Sequence, residues 1–171
     1  MEVKNKKKLY KPFQKIGKSR CIVRWDYTPI MVQNSRGETV ESQIAKWQEQ
    51  SFDYMPTIDE IRDLIFAYYN QQTDKKILSG FTWKGMQIWL SQENQFNYKA
   101  FYDFAVQTNG SNLPITIKTG DNSNISYYTF NTIDEFRNFY TEMLSFIQAT
   151  VQDGWAKKDS INFSEYSGEI S

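Results

Sequence analysis

Few residues in this chain could do chemistry, and each group has a simpler physical role beside the chemical one. Cys21 is the single cysteine and the chain holds no histidine. Thiol catalysis of the Cys-His kind, Ser-His-Asp catalysis and the common zinc sites are therefore excluded, as is an intramolecular disulfide. Asp59, Glu60 and Asp63 invite an acid/base reading. They also follow a helix start, where carboxylates complement the positive end of the helix dipole, and that reading costs less. Asp121-Asn122-Ser123-Asn124 offers oxygen ligands for calcium but lacks the spaced acids and closing glutamate of an EF-hand, so a β-turn accounts for it better. There is no Gly-rich phosphate loop and no nucleophile elbow. Catalytic, cofactor-binding and metal residues are accordingly expected to be none, and the chain is not expected to be an enzyme.

The elements around these residues carry more information. From Thr57 the chain reads Thr57-Ile58-Asp59-Glu60, a spacing in which the threonine hydroxyl caps the third helical amide and the glutamate reaches back to the threonine amide. Ile58, Ile61, Leu64, Ile65 and Tyr68 then recur at helical spacing, which predicts a helix ending near Asn70. Ile77–Trp83 and Met86–Leu90 flank Lys84-Gly85 and predict a hairpin, because glycine supplies the positive φ that a tight turn demands. Ser91 caps a helix from Gln92 to Thr108, with Phe96, Ala100, Phe101, Phe104 and Ala105 as its expected buried stripe and Asn109-Gly110 as its stop. Leu113–Lys118 and Ile125–Phe130 read as strands. Thr132-Ile133-Asp134-Glu135 repeats the capping pattern, opening a helix whose stripe is Ile133, Phe136, Tyr140, Met143, Leu144, Ile147 and Val151, with Gly154 as the expected end.

Upstream, Cys21–Tyr27 is β-branched and aromatic and predicts a strand, with Thr28-Pro29 interrupting it and Ile30–Val32 resuming at an edge. Asn34-Ser35-Arg36-Gly37 is a turn. Glu41–Phe52 fits either a short helix or a third strand. The first nineteen residues hold Lys4, Lys6, Lys7, Lys8, Lys11, Lys15 and Lys18 against Glu2 alone, in a chain whose formal net charge is zero. The body is therefore acidic, and the basic stretch reads as an extended arm outside the core.

The expected architecture is α+β: an arm (1–19), a small β-rich module (20–56), a capped helix and linker (57–74), a ββαββα domain (75–159) and a polar tail (160–171). No apolar run approaches the length of a membrane span, and the basic start lacks the apolar stretch of a secretory signal. A reducing cytoplasm, or something assembled there, suits such a chain. Aromatic residues make up 16% of it, more than two helical stripes and four short strands can bury, so part of them should form a contact surface. Trp89, Tyr98, Tyr102 and Trp155, together with Tyr69, point away from the stripes assigned above. With Lys6, Lys7, Lys8 and Lys11 of the arm they are the candidate interface. An acidic protein surface suits the arm better than nucleic acid phosphates do, since the body is itself acidic.

Phe81-Thr82-Trp83-Lys84-Gly85, the run into Ser91-Gln92-Glu93-Asn94-Gln95-Phe96, Leu113-Pro114-Ile115-Thr116-Ile117-Lys118, Tyr128-Thr129-Phe130 and the closing Gly154-Trp155-Ala156-Lys157-Lys158 resemble a domain of unknown function from tailed bacteriophages, including those of gut bacteria. That domain recurs in tail-associated and tail-fibre-assembly proteins. The resemblance covers residues 77–158. It implies no enzyme activity and a structural or adaptor role in a virion, in the tail or fibre attachment region, with host cytoplasm as the site of assembly and other virion proteins as partners in an oligomeric assembly. A tail-fibre assembly chaperone that leaves the particle is the alternative within that family. A small regulatory or nucleic-acid-binding protein using the basic arm is the alternative outside it.

Overall fold

The computed structural model describes residues 1–120 and 123–167. The fold is α+β, and the chain divides into two compact units, Met1–Ala67 with the stretch from Ser160, and Tyr68–Asp159. The Asp121–Asn124 stretch, read from the sequence as a β-turn, falls partly on Asp121 and Asn122, outside the described residues.

The first unit is built on an antiparallel sheet of four strands in the order β1-β4-β3-β2. These are β1 (Glu2–Lys6), β2 (Phe13–Ile16), β3 (Arg20–Gln33) and β4 (Thr39–Phe52). The arm expected at residues 1–19 is thus corrected: β1 pairs with Ile44–Gln48 and β2 with Arg20–Val23. Charge pattern misled here, because every second residue of a strand can face water while backbone amides bond to a neighbour. The ambiguous 41–52 stretch is a strand. β3 does not stop at Thr28-Pro29 but bulges, with register shifts between Trp25 and Thr28 and between Pro29 and Met31, and with Asp26 at φ 56°. A bulge re-aims the strand without ending it. The turn after it forms as expected: Asn34 Oδ1 accepts from the amides of Arg36 (2.9 Å) and Glu38 (3.0 Å).

Cys21, Val23, Trp25, Ala45 and Trp47 are buried in this unit. So is Arg24, whose guanidinium donates to Glu49 (2.6 Å), to Gln14 Oε1 (2.9 Å) and to the Lys11 carbonyl (3.3 Å). A buried cation is tolerated only when paired and hydrogen-bonded in this way. The 160–171 tail is corrected as well. A short 3-10 turn (Phe163–Tyr166) places Tyr166 among the buried residues, where its hydroxyl donates to the Arg24 carbonyl at 2.9 Å. α1 (Ile58–Leu78) opens on the full capping box: Glu60 N–H donates to Thr57 Oγ1 (3.2 Å) and Thr57 N–H to Glu60 Oε2 (2.7 Å).

The second unit carries the ββαββα order: β5 (Phe81–Trp83), β6 (Met86–Ile88), α2 (Gln92–Gln107), β7 (Ile115–Gly120), β8 (Ile125–Phe130) and α3 (Ile133–Asp159). Ile77 and Leu78, expected in the hairpin, end α1 instead. Gly80 then turns the chain at φ 80°, with its α-carbon so close to Ile88 that a Cβ would lie 1.8 Å from the Ile88 carbonyl oxygen. No other residue fits there. Lys84 and Gly85, both at positive φ, close the β5–β6 hairpin. Phe81, Trp83, Ile88 and Leu90 all face the core, as the alternation requires.

Two helical stripes differ from expectation. In α3 the buried side chains are Phe136, Phe139, Met143 and Thr150, while Leu144 is exposed. Gly154 does not end α3 but sits buried inside it. A Cβ there would meet Thr73 Oγ1 of α1 at 2.2 Å, so the missing side chain lets the two helices close up. Lys158 Nζ to Asn70 Oδ1 (2.8 Å) and Lys76 Nζ to Asp153 (3.7 Å) flank that contact. In α2 the buried residues are Tyr98 and Ala105, not the phenylalanines.

Two outcomes follow from this packing. Deleting Met1–Ser19 removes two of four strands, and circular dichroism and thermal melting of the truncated chain should show the first unit unfolded. Gly154→Ala should destabilise the second unit by roughly 1–3 kcal/mol, the usual cost of overpacking a closed contact, and Gly154→Ala with Thr73→Ala should recover most of it in urea unfolding.

Candidate functional site

α2 packs with its Tyr98, Tyr102 and Ala105 side, and polar bonds hold that rotation. Asn94 Nδ2 donates to the Trp89 carbonyl (3.1 Å) and Gln95 Nε2 to the Leu90 carbonyl (2.7 Å). Tyr102 stacks on Tyr140 at 4.8 Å between ring centroids, and Arg137 Nε donates to its hydroxyl at 3.3 Å. Burial pushes the Tyr98 phenol pKa up. Tyr98 is only 4% exposed, so Tyr98 and Tyr102 are corrected from interface to packing residues. Tyr69 is buried as well. An amphipathic ring with one bonded tip is as well suited to a core as to an interface.

The opposite side of α2 is apolar and open. Phe96 is 71% exposed, Phe104 52% and Phe101 40%. Ala100, between them, is exposed too. Phe96, Ala100 and Phe104 stand at i, i+4, i+8, hence on one line of the helix surface. Beside Phe101 lies a groove of about 400 Å³ lined also by Trp89, Asn94, Asn97, Thr116 and Lys118. Trp89 itself is half-buried, with Lys118 Nζ 5.5 Å from its ring centre. Trp155, 57% exposed, remains a surface ring as expected.

The four candidate lysines sit in the first unit. Lys6 pairs opposite Ile44 in β1, Lys7 bridges to Glu41 (3.1 Å), Lys8 is exposed, and Lys11 offers its carbonyl to Arg24. The aromatic rings named in the sequence analysis belong to the second unit. Past the segments joined by β1 and β2, the far ends of β3 and β4 pair with each other, and Met31, Val32 and Val40 are exposed there. Among the described residues, no group of three or more His, Cys, Asp or Glu could hold a metal. Cys21 is buried, and burial pushes its thiol pKa up, which disfavours the thiolate. Asp59 pairs with Arg62, and the cap bonds hold the Glu60 carboxyl below the usual range. No helix among the described residues is long and apolar enough to cross a membrane.

One polar cluster escaped the sequence reading. Lys84 Nζ lies 2.9 Å from the Tyr128 hydroxyl and 3.0 Å from Glu135 Oε1, and the Tyr128 hydroxyl donates to the same carboxylate. The cluster joins the β5–β6 turn, β8 and the first turn of α3. Glu135 N–H still bonds Thr132 Oγ1 at 3.2 Å, but its carboxylate is committed to Tyr128 and Lys84. The second capping box is therefore half-built, and the signal was the same Thr-x-x-Glu spacing.

The family of this chain follows from a sequence match that centres on these elements. The chain belongs to the family described as Domain of unknown function (DUF4376). The match spans residues 60–169, taking in most of α1, the whole ββαββα series and the 3-10 turn at 163–166, while β1 to β4 lie outside it. No curated protein and no solved structure matches.

The Lys84–Tyr128–Glu135 cluster has a pH signature. The Tyr128 hydroxyl, then Lys84, holds the Glu135 carboxyl below its ordinary range, and the Tyr128 bond, then Glu135, raises Lys84. A depressed carboxyl contributes stability above its unfolded value, about 4.3, and loses it as pH falls through the lower folded value. A raised lysine contributes below about 10.4 and loses it as pH rises through the folded value. Urea midpoints of Glu135→Gln should therefore lie below those of the unaltered chain at pH 7, with the gap closing towards pH 3. A gap independent of pH would mean that the carboxylate charge contributes nothing.

Proposed function

We propose that this chain is a non-enzymatic structural or adaptor subunit of a tailed-phage particle, working in the tail or fibre attachment region through contacts with other virion proteins and assembling in the host cytoplasm. The observation that carries the contact role is the open phenylalanine line of α2, turned away from a core that other residues of the same helix already fill. Contiguous apolar surface of this kind marks interaction sites in folded proteins. The phage attribution rests on the resemblance carried by Phe81–Gly85, Ser91–Phe96, Leu113–Lys118, Tyr128–Phe130 and Gly154–Lys158.

Quantitative mass spectrometry of particles purified from cells making this chain tests the reading. The expected result is the chain at a fixed ratio to known virion subunits, with Phe104→Ser reducing its incorporation at least tenfold while its melting temperature stays within a degree or two. Abundance in the lysate with absence from particles would replace the structural role by that of an assembly chaperone. Salt-sensitive retention on DNA without any particle association would overturn both.

A further inference from the structure

We propose that the partner of the α2 face is a second copy of this chain, in an antiparallel helix pair whose two-fold axis passes beside Ala100; this rests on the reading of that face as a contact surface. The argument is one of self-complementarity. A two-fold interface needs a patch that matches itself after rotation. Phe96 and Phe104 are equidistant from Ala100 along the helix, so rotation lays Phe104 of one copy beside Phe96 of the other. Ala100, the smallest side chain of the face, falls at the crossing, where close approach of two helix backbones needs a small residue.

Charge agrees with the same axis. Lys99 and Asp103 form an exposed i, i+4 ion pair on one flank of the face. They lie on either side of the crossing, one towards each end of the helix. An antiparallel two-fold keeps that flank on the same side in both copies and exchanges the ends. Lys99 of each copy then faces Asp103 of the other, so two exposed intrahelical pairs can become two reciprocal pairs across the interface. A parallel two-fold would carry that flank to opposite sides of the pair, so Lys99 and Asp103 would meet the uncharged Asn97 and Phe101 flank instead. On the other flank, Phe101 of one copy meets Asn97 of the second, and neither carries charge. The remaining charged residue of α2 near the line, Glu93 at the start of the helix, falls opposite Gln107, while Lys118, in the groove beside Phe101, lies over the Trp89 ring.

Sedimentation equilibrium of the full chain tests this. Dimers are expected at tens of micromolar, the range of a modest interface with a dissociation constant on the order of 1–10 μM. Ala100→Glu places two carboxylates at the crossing and should weaken the dimer at least tenfold while leaving the melting profile of the diluted monomer unchanged, since Ala100 is exposed. Lys99→Glu and Asp103→Lys should each weaken it, and the double variant Lys99→Glu/Asp103→Lys should restore it, which a merely apolar contact would not do. A chain monomeric at about 100 μM, or Ala100→Glu dimers as tight as those of the unaltered chain, would overturn the proposal. A monomeric chain whose Ala100→Glu variant is lost from particles would overturn the second copy while leaving the contact surface standing. A dimer broken by Ala100→Glu with particle incorporation unchanged would uphold the second copy and remove this face from the particle role.

Discussion

The ring of Phe139 holds the second unit together. It lies 5.2 Å from Trp83 of β5, 5.2 Å from Tyr98 of α2, 5.2 Å from Phe130 of β8, and 5.8 Å from Phe136 one turn earlier in α3. Phe81 adds a further contact at 6.1 Å. Both hairpins and both helices of the ββαββα series therefore meet on one side chain. Edge-to-face and tilted aromatic pairs add about 0.5–1.5 kcal/mol each beyond their buried area, so this cluster ties the four elements to one another. Its geometry also dictates what remains outside. Once Tyr98 is chosen to meet Phe139, the opposite line of α2 has nowhere to go but solvent.

Tension between local and distant demands recurs at Glu135. By sequence it belongs to a capping box, where its carboxylate would satisfy the Thr132 amide for a local gain. In the fold it turns instead to Tyr128 and Lys84, which stand 7 and 51 residues away in sequence. A charge-assisted bond from a phenol and an ammonium outweighs one amide. The exchange also pins the Lys84-Gly85 turn to the start of α3, with Lys84 Nζ 4.6 Å from the Trp83 ring centre as well. Glu60, whose carboxylate also accepts from the Tyr54 hydroxyl, keeps its box complete. One motif thus gives two outcomes, decided by what lies nearby in three dimensions.

Those contrasts explain what could be read from the chain alone. Turns, caps and the left-handed residues at Lys84, Gly85, Asn109 and Gly110 depend on a few neighbouring residues, and each was legible. The ββαββα order was legible for the same reason. The lysines of residues 4–8 masked a strand because the partner that pairs with it, β4, begins more than thirty residues later. Gly154 read as a stop because its reason for being glycine is Thr73, on another helix. Of the candidate interface, Trp155 is exposed and Trp89 half-buried, whereas Tyr98 is buried and Tyr102 packs against the core. Both lines of α2 repeat at helical spacing, and periodicity alone has no means of choosing between them.

The choice α2 makes runs against hydrophobicity, and that is what gives it meaning. Turning the helix to bury Phe96 and Phe104 would gain roughly 1.5–3 kcal/mol for each ring taken out of water. It would also expose Tyr98, break the amide bonds from Asn94 and Gln95 to the Trp89 and Leu90 carbonyls, and separate Tyr102 from Arg137. Unsatisfied buried carbonyls cost about 1–3 kcal/mol each, so the two orientations lie close in energy. Selection for stability alone would settle such a balance simply, by polar residues in place of the outer phenylalanines. Phenylalanines at three positions of one open face, around a small residue and beside a matched lysine and aspartate, are the arrangement expected of a surface meant to be covered.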